Sequence, residues 1–366
     1  MTRDRTPAPR NDRNLWREIL GASDRAPIRI RSILVAAFGM GVPVVAGLWL
    51  GHGEAGFTIG LGAILLSGAT GGTAAPSGDR DRPSSAILPA MLAVTIATLI
   101  AGRPWTDAAM IGLVSVAALS SGFSRPFAIG AIRFGIYLVL GTGFLDGATN
   151  GHHDAALVFG LGALWNIVLR GLLADRLPKP DEPTQPARVP TPAQRRAHFR
   201  NTLRSLSGWQ FVARLAIGLT VASVIRHLWP DRHFYWIMLT VVLLTQRPIE
   251  HLPVKTVQRL IGTIAGVGIT SLIVAGVTSP PVLALLACPL ATLVPVARAR
   301  SYLLYSIVAT PLILLVLDLG KPIEVALLTD RVVATIIGGA LVIAGNITAD
   351  RLLNRSASMP RRSRSQ

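Results

Sequence analysis

The chain has 366 residues, 51% of them hydrophobic and only 15% charged, with a mean hydropathy of +0.50; soluble domains carry about 25% charged residues, so a polytopic membrane protein is the expected class. The net charge is +17 and Arg greatly outnumbers Lys, but the cations sit at span ends, in a middle linker and at both termini with no nucleic-acid-binding motif, so the positive-inside rule accounts for them and nucleic acid is not an expected partner. The one cysteine, Cys288, lies in an apolar run, so no internal disulfide, metal site or cofactor is expected.

Residues 1–31 form a basic segment, too polar for a leader's apolar core. Apolar stretches of bilayer length then predict about twelve spans, at 32–50, 55–75, 84–102, 105–122, 127–146, 154–173, 209–228, 234–246, 254–277, 281–297, 301–318 and 323–348. The fold class expected is an all-α integral membrane protein with two parallel six-helix repeats. The first half occupies 32–176 and the second 209–351. Between them, 177–208 is a basic linker whose prolines Pro178, Pro180, Pro183, Pro186 and Pro190 favour extended chain. Its end, Pro192 to Arg204, reads as an amphipathic surface helix. Residues 352–366 are a basic tail.

The charges orient the spans. The amino-terminal segment, the linker and the tail are rich in arginine, and even span numbers place all three on one side. Arg80, Arg82, Arg125, Arg247, Lys255, Arg298 and Arg300 fall there too. Glu54, Asp146, Asp154, Asp318 and Glu324 fall on the other. Both termini are therefore expected in the cytoplasm of a bacterial cell, with the protein in its inner membrane. Arg226 and Arg232 stand against this trend on the acidic side. Ala174-Asp175-Arg176-Leu177 closes the sixth span and Ala349-Asp350-Arg351-Leu352 the twelfth, which is why the halves read as parallel repeats.

Several residues invite a chemical reading. Arg133, Arg214 and Arg259 lie just inside their spans, and Arg331 lies about two turns into the last one. An Arg facing lipid at mid-membrane costs at least a few kcal/mol, so these side chains should face protein or a water-filled path. Guanidinium groups there would bind a carboxylate with two parallel hydrogen bonds; snorkelling or structural pairing is the alternative. Asp330 adjoins Arg331 but cannot face it on a helix, so each needs another partner, and Asp330 is a candidate to carry a coupling proton. Tyr235 and Trp236 near the outer surface are candidates to stack an aromatic substrate, or belong to an aromatic belt. Gly262, Thr263, Gly266 and Gly338 read as helix-packing positions. His152-His153-Asp154 reads as a solvated loop rather than a metal site. The chain has no Gly-x-x-x-x-Gly-Lys-Ser/Thr loop, so nucleotide hydrolysis by that route is not expected, nor is any other enzymatic activity.

The stretch Tyr235-Trp236-Ile237-Met238-Leu239-Thr240, then Gln246-Arg247-Pro248, then Arg259-Leu260-Ile261-Gly262-Thr263 and Gly266 resembles the fusaric acid resistance-like, or aromatic acid exporter, family. Thr310-Pro311 and the Arg331, Thr335, Gly338 series are similar to it as well. The resemblance covers roughly Arg214 to Ala349, while Phe57 to Gly68 stands in the first half as a degenerate copy without Tyr or Trp. It implies ion-coupled efflux of aromatic or related organic acids, with a small organic anion and the lipid bilayer as partners and a homo-oligomer left open. Three other readings compete with it: a passive organic-anion channel, a major-facilitator-type transporter suggested by Gly78-Asp79-Arg80-Asp81-Arg82, and a membrane-embedded enzyme or assembly factor.

Overall fold

A computed structural model describes residues 30–67, 83–145, 152–173, 191–245, 252–317 and 325–358. The amino-terminal segment to residue 29, the Gly78–Arg82 loop, the proline-rich part of the linker, Ala174–Leu177, Gln246–Pro248 and the end of the tail lie outside these residues. Every regular element among those described is a helix. In chain order they are α1 (Ile30–Trp49), α2 (Gly53–Ser67), α3 (Pro83–Ile100), α4 (Thr106–Ser120), α5 (Arg125–Leu145), α6 (His152–Leu172), α7 (Pro192–Arg204), α8 (Leu206–Leu228), α9 (Tyr235–Leu244), α10 (Leu252–Gly276), α11 (Pro280–Arg300), α12 (Tyr302–Leu317) and α13 (Val325–Ser358). Each expected span contains one helix. Five stretches are long and apolar enough to cross a membrane: Ile30–Trp49, Gly208–Leu228, Val254–Gly276, Pro280–Arg300 and Val325–Arg351. This is a multi-pass helical membrane protein.

Local chemistry explains the ends. Thr191 caps α7 with a capping box, accepting from the Gln194 backbone while Gln194 accepts from the Thr191 N–H, and Pro192 sits in the first turn, where a missing N–H costs nothing. The last helix runs to Ser358 instead of stopping near 348. Hydropathy falls there, but Asn346, Asp350 and Arg351 keep helical geometry once the chain leaves the apolar layer. Prolines interrupt α1 at Pro43, α3 at Pro89, α11 at Pro289 and Pro295, and α12 at Pro311; neighbouring helices make such breaks tolerable in a membrane.

The packing pattern of the first six helices recurs in the last six. In the first half α2 packs on α1 and α6, α3 on α5 and α6, α4 on α5, and α1 on α6. In the second half α9 packs on α8 and α13, α10 on α12 and α13, α11 on α12, and α8 on α13. Across the halves α4 meets α8 as α1 meets α11, and α5 meets α9 as α2 meets α12. The apolar cores are correspondingly mixed. One joins α3, α4 and α5 to α8, α9 and α13; the other joins α1 and α2 to α11 and α12.

The short α9 lies at the centre. Its ten residues rise about 15 Å, half a bilayer. All but Tyr235 and Leu243 are buried, as expected of a helix that is apolar on every side. Glycines set its distance from its neighbours. A Cβ on Gly338 of α13 would sit 2.7 Å from the Thr240 Cβ, and one on Gly143 of α5 would sit 2.6 Å from the Tyr235 ring.

Candidate functional site: a buried arginine pair beside a tryptophan

The centre of the second half holds charge that no carboxylate among the described residues neutralises. Arg331, on α13, is fully buried. Its guanidinium carbon lies 3.8 Å from the centroid of the Trp236 ring on α9. None of its three side-chain nitrogens has a hydrogen-bond partner. A desolvated cation–π contact stabilises by about 2 kcal/mol, whereas burying an unpaired charge costs several. The stack therefore orients the guanidinium without satisfying it.

Arg259 approaches from α10. It is 2% exposed, and its Nε also lacks a partner. The helix pairing brings the two arginines together. Gly339 of α13 packs on Thr256 of α10, while Val325, Leu328 and Thr329 share a cleft with Val267, Ser271 and Val274. The two helices are thus antiparallel, and the Thr256 contact places Arg331 about five residues beyond Arg259, roughly 8 Å of rise. Arg259, Tyr235 and Tyr302 all act electrostatically on Arg331. Around the pair, the Thr263 and Ser306 hydroxyls and the Trp236 indole N–H are buried without hydrogen-bond partners among the described residues, and the Tyr302 hydroxyl lies within reach of Arg259. Gly262 and Gly266 shape this wall: a Cβ on Gly262 would lie 2.4 Å from the Ser306 Cβ, and one on Gly266 2.6 Å from the Thr310 Cβ.

The other residues singled out by sequence lie apart from the pair. Arg214 of α8 is buried and donates from Nη1 to Oδ1 of Asn346 and from Nε to the Gln210 carbonyl at 3.4 Å, bracing α8 against α13. Arg133 of α5 is also buried. It acts on Tyr137, as do Tyr305 and Arg298 from the second half. Arg298 stands over the Tyr305 ring at 5.6 Å. Tyr235 is partly buried, with its ring 4.6 Å from that of Trp236.

Asp330 turns away from its neighbour towards the α8–α9 connection. Its Oδ1 accepts from Arg232 Nη1 at 2.9 Å. Its Oδ2 accepts from the His233 backbone N–H at 3.1 Å and lies 3.2 Å from His233 Nδ1. Beside it a cleft of about 470 Å³ is lined by Trp229, Arg232, Phe234, Thr329, Asp330, Val333 and Ile337. A second carboxylate, Asp107 of α4, is held by Ser223 at 2.6 Å and Arg226 at 3.0 Å from α8, tying one half to the other. Sequence reasoning missed both clusters, although it carried their signal. Arg226 and Arg232 are two of the four cations on the acidic side, with Arg103 and Lys321, and each of these two pairs with a carboxylate.

Comparison with known proteins bears on this same region. Residues 219–345 match the fusaric acid resistance protein-like family. The second half therefore carries a fusaric acid resistance protein-like domain. That domain contains Trp236, Arg259, Asp330 and Arg331, and it contains α9 and α10 complete. The match and the apolar helices are those of a membrane protein. No curated protein and no solved structure matches the chain.

Proposed function

We propose that the protein exports organic acids, with Arg331 and Arg259 as the anion site. The observation that carries this reading is the fully buried Arg331 guanidinium, stacked over the Trp236 ring with no nitrogen paired among the described residues. A planar donor fork fixed on its face presents its edge, the geometry that a carboxylate accepts bidentately. The donors are desolvated and already oriented, so an entering carboxylate replaces its hydration without having to reorganise them. Thr263 and Ser306 add neutral donors beside the charge. Tyr235 offers an aromatic wall for the substrate ring, and Trp236 sets the plane of Arg331.

The site lies within the second of two parallel six-helix halves, 32–176 and 209–351, in a bacterial inner membrane with both termini cytoplasmic. The matching packing patterns of the two halves and the Ala-Asp-Arg-Leu ends support this arrangement. The site is closed to solvent in this conformation, which favours a transporter that changes access over an open channel. Arg298, Tyr305, Tyr137 and Arg133 form a second charged and aromatic cluster. Asp330, clamped by Arg232 and His233 beside the outer cleft, is the candidate carrier of a coupling proton. The mechanism is transport driven by an ion gradient, with no enzymatic step.

Flux in proteoliposomes tests the reading. Purified protein loaded with benzoate, with pH and voltage gradients imposed separately, should move the acid in response to the pH gradient. Arg259→Ala should reduce flux at least about a hundredfold, as expected for losing one of two buried charge-assisted contacts, while membrane insertion stays intact. Wild-type flux by that variant would remove Arg259 from the site, and flux that follows only the anion's own electrochemical gradient would favour a channel.

A further inference from the structure

We infer that the preferred substrate is an organic dianion, an acid carrying two carboxylates, bridged between Arg331 and Arg259. This inference rests on the anion site proposed above and specifies its substrate. The argument is one of charge and reach. Arginine stays protonated in proteins, so the pair holds two positive charges. Both side chains are at most 2% exposed, and neither has an ion pair with a carboxylate among the described residues. The acid nearest in sequence, Asp330, has both oxygens committed to Arg232 and His233. One monocarboxylate would satisfy one fork and leave the other guanidinium buried without a counter-charge, an arrangement that is costly in a low-dielectric interior. Two carboxylates a few bonds apart satisfy both.

The spacing agrees. The two backbones are offset by roughly 8 Å of helix rise, and the side chains converge from facing helices. The unpaired donors are also too many for one carboxylate, which offers about four lone-pair sites: Arg331 alone contributes three unpaired nitrogens, before Arg259 Nε and the Thr263 and Ser306 hydroxyls are counted.

Isothermal titration of the purified full chain in detergent, in a buffer free of carboxylates, decides it. The probes are benzoate, benzene-1,3-dicarboxylate and chloride. The expected result is a dicarboxylate affinity at least about tenfold above that of benzoate, with chloride competing weakly. Arg259→Gln should collapse that ratio toward one, and Arg259→Lys, which keeps the charge, should retain most of it. Equal affinity for the two acids in the wild-type chain overturns the dianion inference and leaves the anion site standing. So does a ratio that survives Arg259→Gln. Absence of binding by either acid overturns both. The wild-type comparison needs no variant to fold.

Discussion

Asp330 and Arg331 are adjacent in the chain and opposite in fate. Successive residues on a helix point about 100° apart, so Asp330 reaches the α8–α9 connection while Arg331 reaches the face of Trp236. The carboxylate is satisfied by two partners from a segment nearly one hundred residues earlier, and the guanidinium by none. The contrast yields a prediction at this scale. Asp330→Asn keeps the shape and loses the charge that holds Arg232. If Asp330 carries the coupling proton, benzoate flux should persist down its own gradient and lose its response to an imposed pH gradient, measured in the same vesicles. A pH response equal to that of the wild-type chain would free Asp330 of that role and leave it a structural anchor. The sequence placed Asp330 and Arg331 inside a span and required a separate partner for each. It did not identify those partners, because Arg232 and His233 are reached only through the folded connection.

Among the elements, α9 and α10 matter most. The apolar stretch 234–246 is too short to cross a bilayer, and the helix it forms is shorter still, ten residues packed on α5, α8 and α13. Its brevity was legible from Gln246-Arg247-Pro248, since proline restricts the residue before it. Its central position was not, because periodicity carries no information in a helix that is apolar all round. Helix α10 is held at close range to α12 by Gly262 and Gly266. Gly262→Val would place carbon against the Ser306 Cβ and the Leu303 carbonyl. Overpacking of this kind costs about 1–3 kcal/mol, so thermal unfolding in detergent should shift several degrees lower. Gly268→Ala is the control: no atom lies within 4 Å of a Cβ there, and its midpoint should stay within about one degree or rise slightly through the better helix propensity of alanine.

For the whole molecule, the cross-half contacts interleave the two six-helix sets instead of setting them side by side, with α1 on α11 and α4 on α8. Asp107 and Arg226 form one such tie between the start of α4 and the end of α8. The proposed orientation is tested by labelling single cysteines, introduced in a Cys288→Ala background, with a membrane-impermeant thiol reagent on intact cells. Cysteines replacing His52, Arg103 and Ser279 should label from outside, and those replacing Ser124 and Ser301 only after permeabilisation. The reverse pattern would invert the topology.

What the sequence by itself determined is what depends on neighbours along the chain. The length of each apolar run decides where a helix lies, and Thr191-Pro192 and Gln194 decide where the surface helix begins. It also showed that buried arginines must face the interior, since lipid cannot hold them. Only the tertiary structure decided which arginines meet. Arg214 is spent on Asn346, while Arg331 stacks on Trp236 without a hydrogen-bond partner among the described residues and Arg259 acts on it from α10. That outcome depends on the depth at which α10, α12 and α13 pack, set by close approaches at Gly262, Gly266 and Gly338, and no local pattern encodes a contact between residues more than seventy positions apart.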